Sequence, residues 1–85
     1  MQYVIVIEKA GDNLSAWFPD VPGCGTVGDT VEEVLANAEE ALEGHLEDME
    51  APAARPLKAI LDEGLEVDGT ELFGFVPYEQ RHAAA

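Results

Sequence analysis

The chain begins with a run of apolar residues that no polar position interrupts. Residues 3–7 read Tyr-Val-Ile-Val-Ile, and such a β-branched and aromatic run is typical of a strand that is covered on both faces. Residues 13–18 alternate instead between an apolar and a more polar face. The turn-forming residues 10–13 lie between the two runs, so the pattern predicts a β-hairpin.

The strongest periodic pattern follows later in the chain. Apolar residues recur there at the spacing of an amphipathic helix, and this stripe consists of Val31, Val34, Leu35, Ala38, Ala41, Leu42, Leu46 and Met49. Thr30 and Glu33 have the spacing of a capping box, in which each side chain bonds a backbone N–H that the helix leaves free. The pattern therefore predicts one long helix that starts at Thr30 and ends before Pro52.

Three short elements complete the predicted order. They are a third strand over residues 24–27, a short helix from Pro56 to Gly64 and a last strand over residues 70–76. Proline suits the first turn of a helix, and glycine suits the position just after its end. Pro77 closes the last strand. The predicted order is β-β-β-α-(short α)-β.

A chain of 85 residues is long enough for one domain with one modest core. We assign residues 1–80 to this domain and expect residues 81–85 to form a disordered tail. The N-terminus has no signal-peptide pattern, and no segment is apolar enough over a sufficient length to span a bilayer. Cys24 is the single cysteine and cannot form an internal disulfide. These features predict a cytoplasmic protein.

The charge of the chain is strongly one-sided. Eighteen acidic residues stand against four basic ones, which gives a formal net charge of −14, and residues 10–54 contain no lysine or arginine. Nucleic acid and anionic membranes need clustered cations, so we expect neither direct nucleic-acid binding nor membrane binding. A basic protein partner is favoured, because opposite charge speeds encounter.

Residues 23–28 read Gly-Cys-Gly-Thr-Val-Gly and fit the G-x-G-x-x-G pattern of a dinucleotide-binding loop. In that motif the helix begins within the glycines, so that its free N–H groups face the phosphates. Here the predicted helix begins after Gly28, and Asp20, Asp29 and Glu33 would surround the phosphates with negative charge. The pattern therefore predicts no cofactor site, and we expect the glycines to supply positive φ angles and a bulge.

Candidate catalytic and metal-binding residues have structural alternatives. Asp20, Asp29 and Glu33 would suit a metal site for phosphoryl transfer. However, Asp20 also suits an Asx turn, Asp29 interacts favourably with the helix dipole, and Glu33 completes the capping box. His45 has no partner histidine on its helix. Cys24 is expected to be buried, with acidic surroundings that raise the pKa of its thiol. We therefore predict no catalytic residue and no metal ligand.

The acidic face of the long helix leaves two interpretations open. A run of charges is usually a solvated surface, but the absence of bases over residues 10–54 favours a docking surface for a basic, RNA-binding protein. The predicted contact residues on the helix and the last strand are Glu39, Glu40, Glu43, Glu47, Phe73 and Phe75.

Three pieces of the chain together resemble the HicB-like antitoxin family. They are an aromatic-containing strand, the corner Pro-Asp-Val-Pro-Gly-Cys over residues 19–24, and the helix start Gly-Asp-Thr-Val-Glu-Glu-Val over residues 28–34, with Val34 where alanine is common. The residues that carry the resemblance are Pro19, Asp20, Pro22, Gly23, Cys24, Gly28, Asp29, Thr30 and Glu33. The resemblance is close over residues 1–50 and looser beyond them.

The resemblance implies an α+β fold, in which an antiparallel three-stranded sheet packs on one long helix and a further C-terminal strand follows. This fold is likened to a partly degraded ribonuclease H fold without its catalytic carboxylates, so no enzyme activity is expected. Family members bind and mask a small basic mRNA-cleaving toxin in type II toxin-antitoxin systems, and they form dimers or tetramers.

Many family members also carry a C-terminal DNA-binding segment, which we do not expect after Pro77. The preferred function is therefore that of a short HicB-like antitoxin. An alternative is a solitary oligomeric interaction or ligand-binding module without a toxin partner. A metal-dependent nuclease is a weaker alternative.

Overall fold

The computed structural model describes residues 1–79, which form a four-stranded antiparallel sheet and two helices. The elements are β1 (Gln2–Ala10), β2 (Asn13–Trp17), β3 (Gly25–Gly28), α1 (Val31–Leu46), α2 (Leu57–Asp62) and β4 (Leu72–Pro77). The strand order is β3-β2-β1-β4, and every neighbouring pair is antiparallel. The predicted α+β class and element order are confirmed, and the last strand joins the sheet beside β1. The predicted tail, residues 81–85, lies outside the described residues.

Strand β1 is buried on both of its faces, as its continuous apolar sequence predicts. Tyr3, Ile5 and Ile7 belong to the main hydrophobic core, together with the buried residues of α1. Val4 and Val6 point to the other face, because side chains alternate along a strand. They are 0% and 1% exposed in the single chain, so residues of the same chain cover this second face.

Helix α1 packs its apolar stripe on one face of the sheet. Its buried residues are Val34, Ala38, Leu42 and Leu46. The helix ends at Leu46, and Met49 lies beyond it in an exposed turn whose N–H donates to the Leu46 carbonyl. The prediction that the helical stripe extends to Met49 is therefore wrong, because the chain leaves the helix before it reaches Pro52.

The segment between α1 and β4 crosses the end of the sheet and carries the short helix α2. Pro56 is the N-cap of this helix rather than part of its first turn, and Gly64 follows its end with a φ of 102°. Ile60 is buried but lies outside the core cluster on the α1 side, as do Val4 and Val6. We infer that α2 covers the second face of β1, since buried apolar side chains need neighbours.

Within residues 1–79, no helix combines the length and the apolar character that a membrane span requires.

Candidate functional site

The corner between β2 and β3 is a hydrogen-bonded turn that is anchored in the core. The Val21 N–H donates to the Phe18 carbonyl and the Cys24 N–H donates to the Val21 carbonyl, each at 3.1 Å. The side chains of all three residues are buried in the main core. Gly23, with a φ of 84°, takes the left-handed conformation that a turn of this kind requires. The corner is therefore fixed by its own backbone and by the core below it.

Asp20 ties this corner to a distant part of the chain. Its carboxylate accepts bonds from the Arg55 backbone N–H at 2.8 Å and from Arg55 Nε at 2.6 Å, and its side chain is only 5% exposed. The Arg55 guanidinium also donates to the Glu63 carboxylate. The hydrogen bonds to Asp20, and then those to Glu63, raise the pKa of Arg55. The expected Asx turn at Asp20 is thus replaced by a long-range ion pair that occupies both carboxylate oxygens.

A second long-range bond holds the same crossing segment. The Tyr3 hydroxyl donates to the Pro52 carbonyl, and the Tyr3 ring meets the Phe18 ring edge-on with centroids 6.5 Å apart. Burial raises the pKa of the Tyr3 hydroxyl. Together with Asp20 and Arg55, this contact secures the chain that leaves α1. The sequence patterns predict neither the Tyr3–Pro52 hydrogen bond nor the Asp20–Arg55 ion pair.

The other two glycines of the corner have a different task from the expected one. Neither Gly25 nor Gly28 has a positive φ. A Cβ at position 25 would lie 2.8 Å from the Ala16 carbonyl oxygen, and one at position 28 would lie 2.9 Å from the Val34 backbone nitrogen. These positions need glycine because the strands and the helix approach closely, so the prediction of positive φ holds only for Gly23.

At the start of α1 the Glu33 carboxylate takes part in the helix cap, and Asp29 contributes its backbone N–H. The Glu33 N–H donates to Thr30 Oγ1 at 3.1 Å, and the Asp29 N–H donates to Glu33 Oε1 at 2.9 Å. The predicted cap is present, although the return bond reaches the residue before Thr30. Among residues 1–79, no group of three or more histidine, cysteine, aspartate or glutamate side chains is placed to hold a metal ion.

The nucleophile and ligand candidates are placed as follows. Cys24 is buried, and burial raises the pKa of its thiol. The predicted increase in this pKa therefore comes from burial and not from acidic neighbours. His45 is exposed in the last turn of α1 and lies against Gly23.

Three of the predicted contact residues line one cleft. Glu39, Glu43 and Glu47 border a cleft of about 990 Å³ between α1 and the end of the sheet where β1 begins and β4 ends. Asp48 and Glu79 add two further carboxylates to its rim. Glu40 instead borders a shallower hollow of about 370 Å³ on the helix surface. The arrangement concentrates negative charge around a concave surface.

The two predicted phenylalanines lie elsewhere. Val76 belongs to the core on the α1 side, so Phe73 and Phe75 point to the opposite face by strand alternation. Phe73 is half-buried and Phe75 is 51% exposed. The sheet therefore separates the phenylalanines from the acidic residues of α1, and the predicted contact set forms two surfaces rather than one.

The fold and the corner motif define a class of small α+β domain, with one long helix on a four-stranded antiparallel sheet. Residues 3–70 match the model of the family described as HicB-like antitoxin of bacterial toxin-antitoxin system. The chain belongs to this family.

Similar proteins agree with this assignment. A protein of Haemophilus phage HP1 (strain HP1c1), described as an uncharacterized 14.9 kDa protein in the rep-hol intergenic region, is 36% identical over 88 residues. The match covers 87% of this chain and 66% of the phage protein. Antitoxin HicB3 has a TM-score of 0.72 at 32% identity, over 93% of this chain and 62% of HicB3. The chain thus spans a little under two thirds of these relatives.

Two further structures share the fold. A chain of the HicA3 and HicB3 toxin-antitoxin complex has a TM-score of 0.67 at 27% identity, over 94% of this chain and 100% of that chain. The N-terminal domain of the Burkholderia pseudomallei antitoxin HicB has a TM-score of 0.77, with the same coverage of each chain. At 21% identity, the latter similarity concerns the fold alone.

Proposed function

We propose that this chain is a non-enzymatic antitoxin that binds and masks a small, basic, mRNA-cleaving toxin of the HicA kind. The observation that carries the proposal is the family match over residues 3–70, with the similarity to a chain from a HicA3–HicB3 complex. Masking requires a binding surface rather than a catalytic site. The corner fits this role, because the carboxylates of Asp20 and Glu33 bond other parts of the chain.

The charge distribution supports a basic partner. The chain has a net charge of −14, and the ion pairs among the described residues involve Asp20, Asp62 and Glu63, none of which lies on α1. The exposed acidic residues of α1 therefore repel one another, and a basic partner would relieve this repulsion. Electrostatic complementarity of this kind raises association rates and selects partners.

We also propose a homo-oligomer, dimer or tetramer, in the cytoplasm. Both faces of β1 are already covered within the single chain, so the burial of β1 is no evidence for a second copy. What supports a second copy is the resemblance to the family, whose members form dimers or tetramers. Val27 on the edge strand β3 is 54% exposed, but a single exposed apolar residue is common on monomers. Light scattering over a range of concentrations measures the oligomer, and a monomeric mass throughout would contradict it.

Co-expression tests the antitoxin role. The proposal predicts that a reading frame next to this chain's gene encodes a small, basic protein of the HicA kind, and the lack of such a frame would favour a solitary module. This HicA-kind protein is expressed alone and together with the chain. We expect growth arrest from the toxin alone and growth in the presence of the chain. Arrest that persists while the folded chain accumulates would contradict the proposal and favour a solitary module. Cleavage of RNA by the purified chain would favour the nuclease alternative.

Charge reversal tests the part played by the cleft. Replacing Glu43 and Glu47 by lysine should weaken toxin binding at least tenfold, because like charges would then face each other. The matched control reverses Asp12 and Glu66, which are exposed outside the cleft, and should weaken binding much less. Equal losses in both variants would show that only the overall charge matters.

A further inference from the structure

Strand β4 has an outer edge that pairs with no other strand among residues 1–79. It is the last strand in the order β3-β2-β1-β4. An edge strand presents unpaired N–H and C=O groups, and proteins usually protect such an edge with charges or a bulge. Residues 72–76 read Leu-Phe-Gly-Phe-Val and carry no charge, so this edge is open to an added strand.

The pairing of β4 with β1 identifies which backbone groups face outward. Met1 and Tyr78 exchange both of their hydrogen bonds, at 3.0 and 2.8 Å. Such hydrogen-bonded pairs alternate with non-hydrogen-bonded pairs along an antiparallel ladder. In the observed register, Leu72, Gly74 and Val76 therefore form hydrogen-bonded pairs with β1. The N–H and C=O groups of the residues between them, Phe73 and Phe75, therefore point away from β1.

Pro77 marks the end of this open edge. It occupies the next outward-facing position. An N–H at this position would not bond β1, so the lack of an N–H in proline leaves the pairing of β4 with β1 intact. At Phe73 and Phe75 the edge thus offers both an N–H donor and a C=O acceptor to an added strand. Leu72 and Phe75, on opposite faces of β4, are 52% and 51% exposed, and an added strand would cover part of each.

Charge selects the occupant of the edge. Glu71 and Glu79 flank β4, and the chain as a whole carries a charge of −14. The Glu71 carboxylate also accepts bonds from the Asp68 and Gly69 N–H groups, at 3.1 and 3.2 Å. If a second copy paired antiparallel about Gly74, Glu71 would face Pro77 of that copy and lie diagonal to its Glu79, which is unfavourable for like charges. A strand with lysine or arginine at its ends would meet opposite charge at both ends of β4.

We propose that the outer edge of β4 accepts a strand of the basic partner protein through main-chain bonds to Phe73 and Phe75. Glu71 and Glu79 bind basic side chains of that strand, and one continuous sheet then runs through both proteins. Strand addition of this kind takes its affinity from backbone bonds and its specificity from flanking side chains. The inference rests on the proposed antitoxin function and specifies where the partner binds.

Amide hydrogen exchange on the unsubstituted chain tests the inference. The chain is measured alone and with an inactive variant of the HicA-kind protein used in the co-expression test. We expect the Phe73 and Phe75 amides to exchange rapidly in the free chain and at least tenfold more slowly in the complex. The Leu72, Gly74 and Val76 amides, which bond β1, should be protected in both states.

Each contrary result has its own meaning. If the complex forms while the Phe73 and Phe75 amides keep their free exchange rates, the edge proposal is overturned and the antitoxin function stands. If the two proteins do not bind, both are overturned. If the two amides become protected in the free chain as its own concentration rises, the occupant is a second copy and the assignment to a basic partner is wrong.

A matched pair of variants separates the backbone from the side chain. Phe75→Pro removes the outward N–H and keeps the ladder with β1, whereas Phe75→Ala removes the ring and keeps the N–H. We expect Phe75→Pro to bind the inactive toxin about tenfold more weakly than Phe75→Ala, because a partner carbonyl loses its donor. Equal affinities would overturn the proposal. Thermal unfolding checks that both variants fold, and the exchange experiment does not depend on either.

Discussion

At the scale of single residues, Gly28 and Gly44 differ in how closely the rest of the chain approaches them. Val34 lies so near Gly28 that a methyl group there has no room, with its Cγ2 at 2.9 Å from the added Cβ. Gly44, on the exposed surface of α1, has open space around it. The same substitution should therefore have opposite effects at the two positions.

Replacing Gly28 by alanine should lower the free energy of unfolding by about 1–3 kcal/mol, because overpacking shifts the helix from the sheet. Replacing Gly44 by alanine should raise it by about 0.5–1 kcal/mol, since alanine loses less backbone entropy in a helix. Urea unfolding followed by circular dichroism measures both. A Gly28→Ala variant as stable as the parent would contradict the observed packing of α1.

Tyr3 gives the chain a dependence on alkaline pH. Its pKa in the folded state is raised above 10.0, chiefly by burial, so the unfolded chain loses this proton first. The stability that this group contributes is complete below pH 10 and is lost as the pH rises through the folded-state pKa. Replacing Tyr3 by phenylalanine should flatten the fall in unfolding free energy above about pH 10. Parallel pH profiles for parent and variant would contradict this.

At the scale of elements, an ion pair and hydrogen bonds to the backbone attach the segment between α1 and α2 to the rest of the fold, and Ala51 and Ala54 pack against the core. Asp20 holds Arg55, and Tyr3 holds the Pro52 carbonyl. Helix α2 follows directly and has only six residues, too few for a helix to be stable by itself. We therefore expect the inferred position of α2 over the second face of β1 to depend on these attachments.

Replacing Asp20 by asparagine should loosen this segment, because the neutral amide cannot pair with the Arg55 guanidinium. We expect the melting temperature to fall by several degrees and the Ile60 amide to exchange faster, whereas the α1 amides should change little. Asp12→Asn, in the exposed turn of the hairpin, is the control. Unchanged exchange at Ile60 would show that α2 is held in another way.

Local patterns predict most of these elements, and contacts between distant residues escape them. The apolar run of β1, the spacing of Thr30 and Glu33, and the position of Gly64 each act over a few neighbouring residues. The bond from Asp20 to Arg55 joins residues that are 35 positions apart, and no local pattern indicates it. The side of the sheet that Phe75 faces is equally unpredictable, because it depends on the register between β4 and β1.

At the scale of the whole molecule, the sheet divides the surface into distinct regions. The acidic cleft lies between α1 and one end of the sheet, the phenylalanines lie on the opposite face, and the open edge of β4 lies beside β1. A net charge of −14 acts on all of them. We therefore propose that long-range attraction brings a basic partner to the chain and that pairing at the edge of β4 then holds it.

RNA cleavage by the HicA-kind protein of the co-expression test, measured with purified components, tests the central claim most directly. We predict that cleavage falls as the folded chain is added and stops once the toxin is saturated, and that added salt weakens the effect by screening the charges. Cleavage that continues unchanged in the presence of excess folded chain would contradict the account.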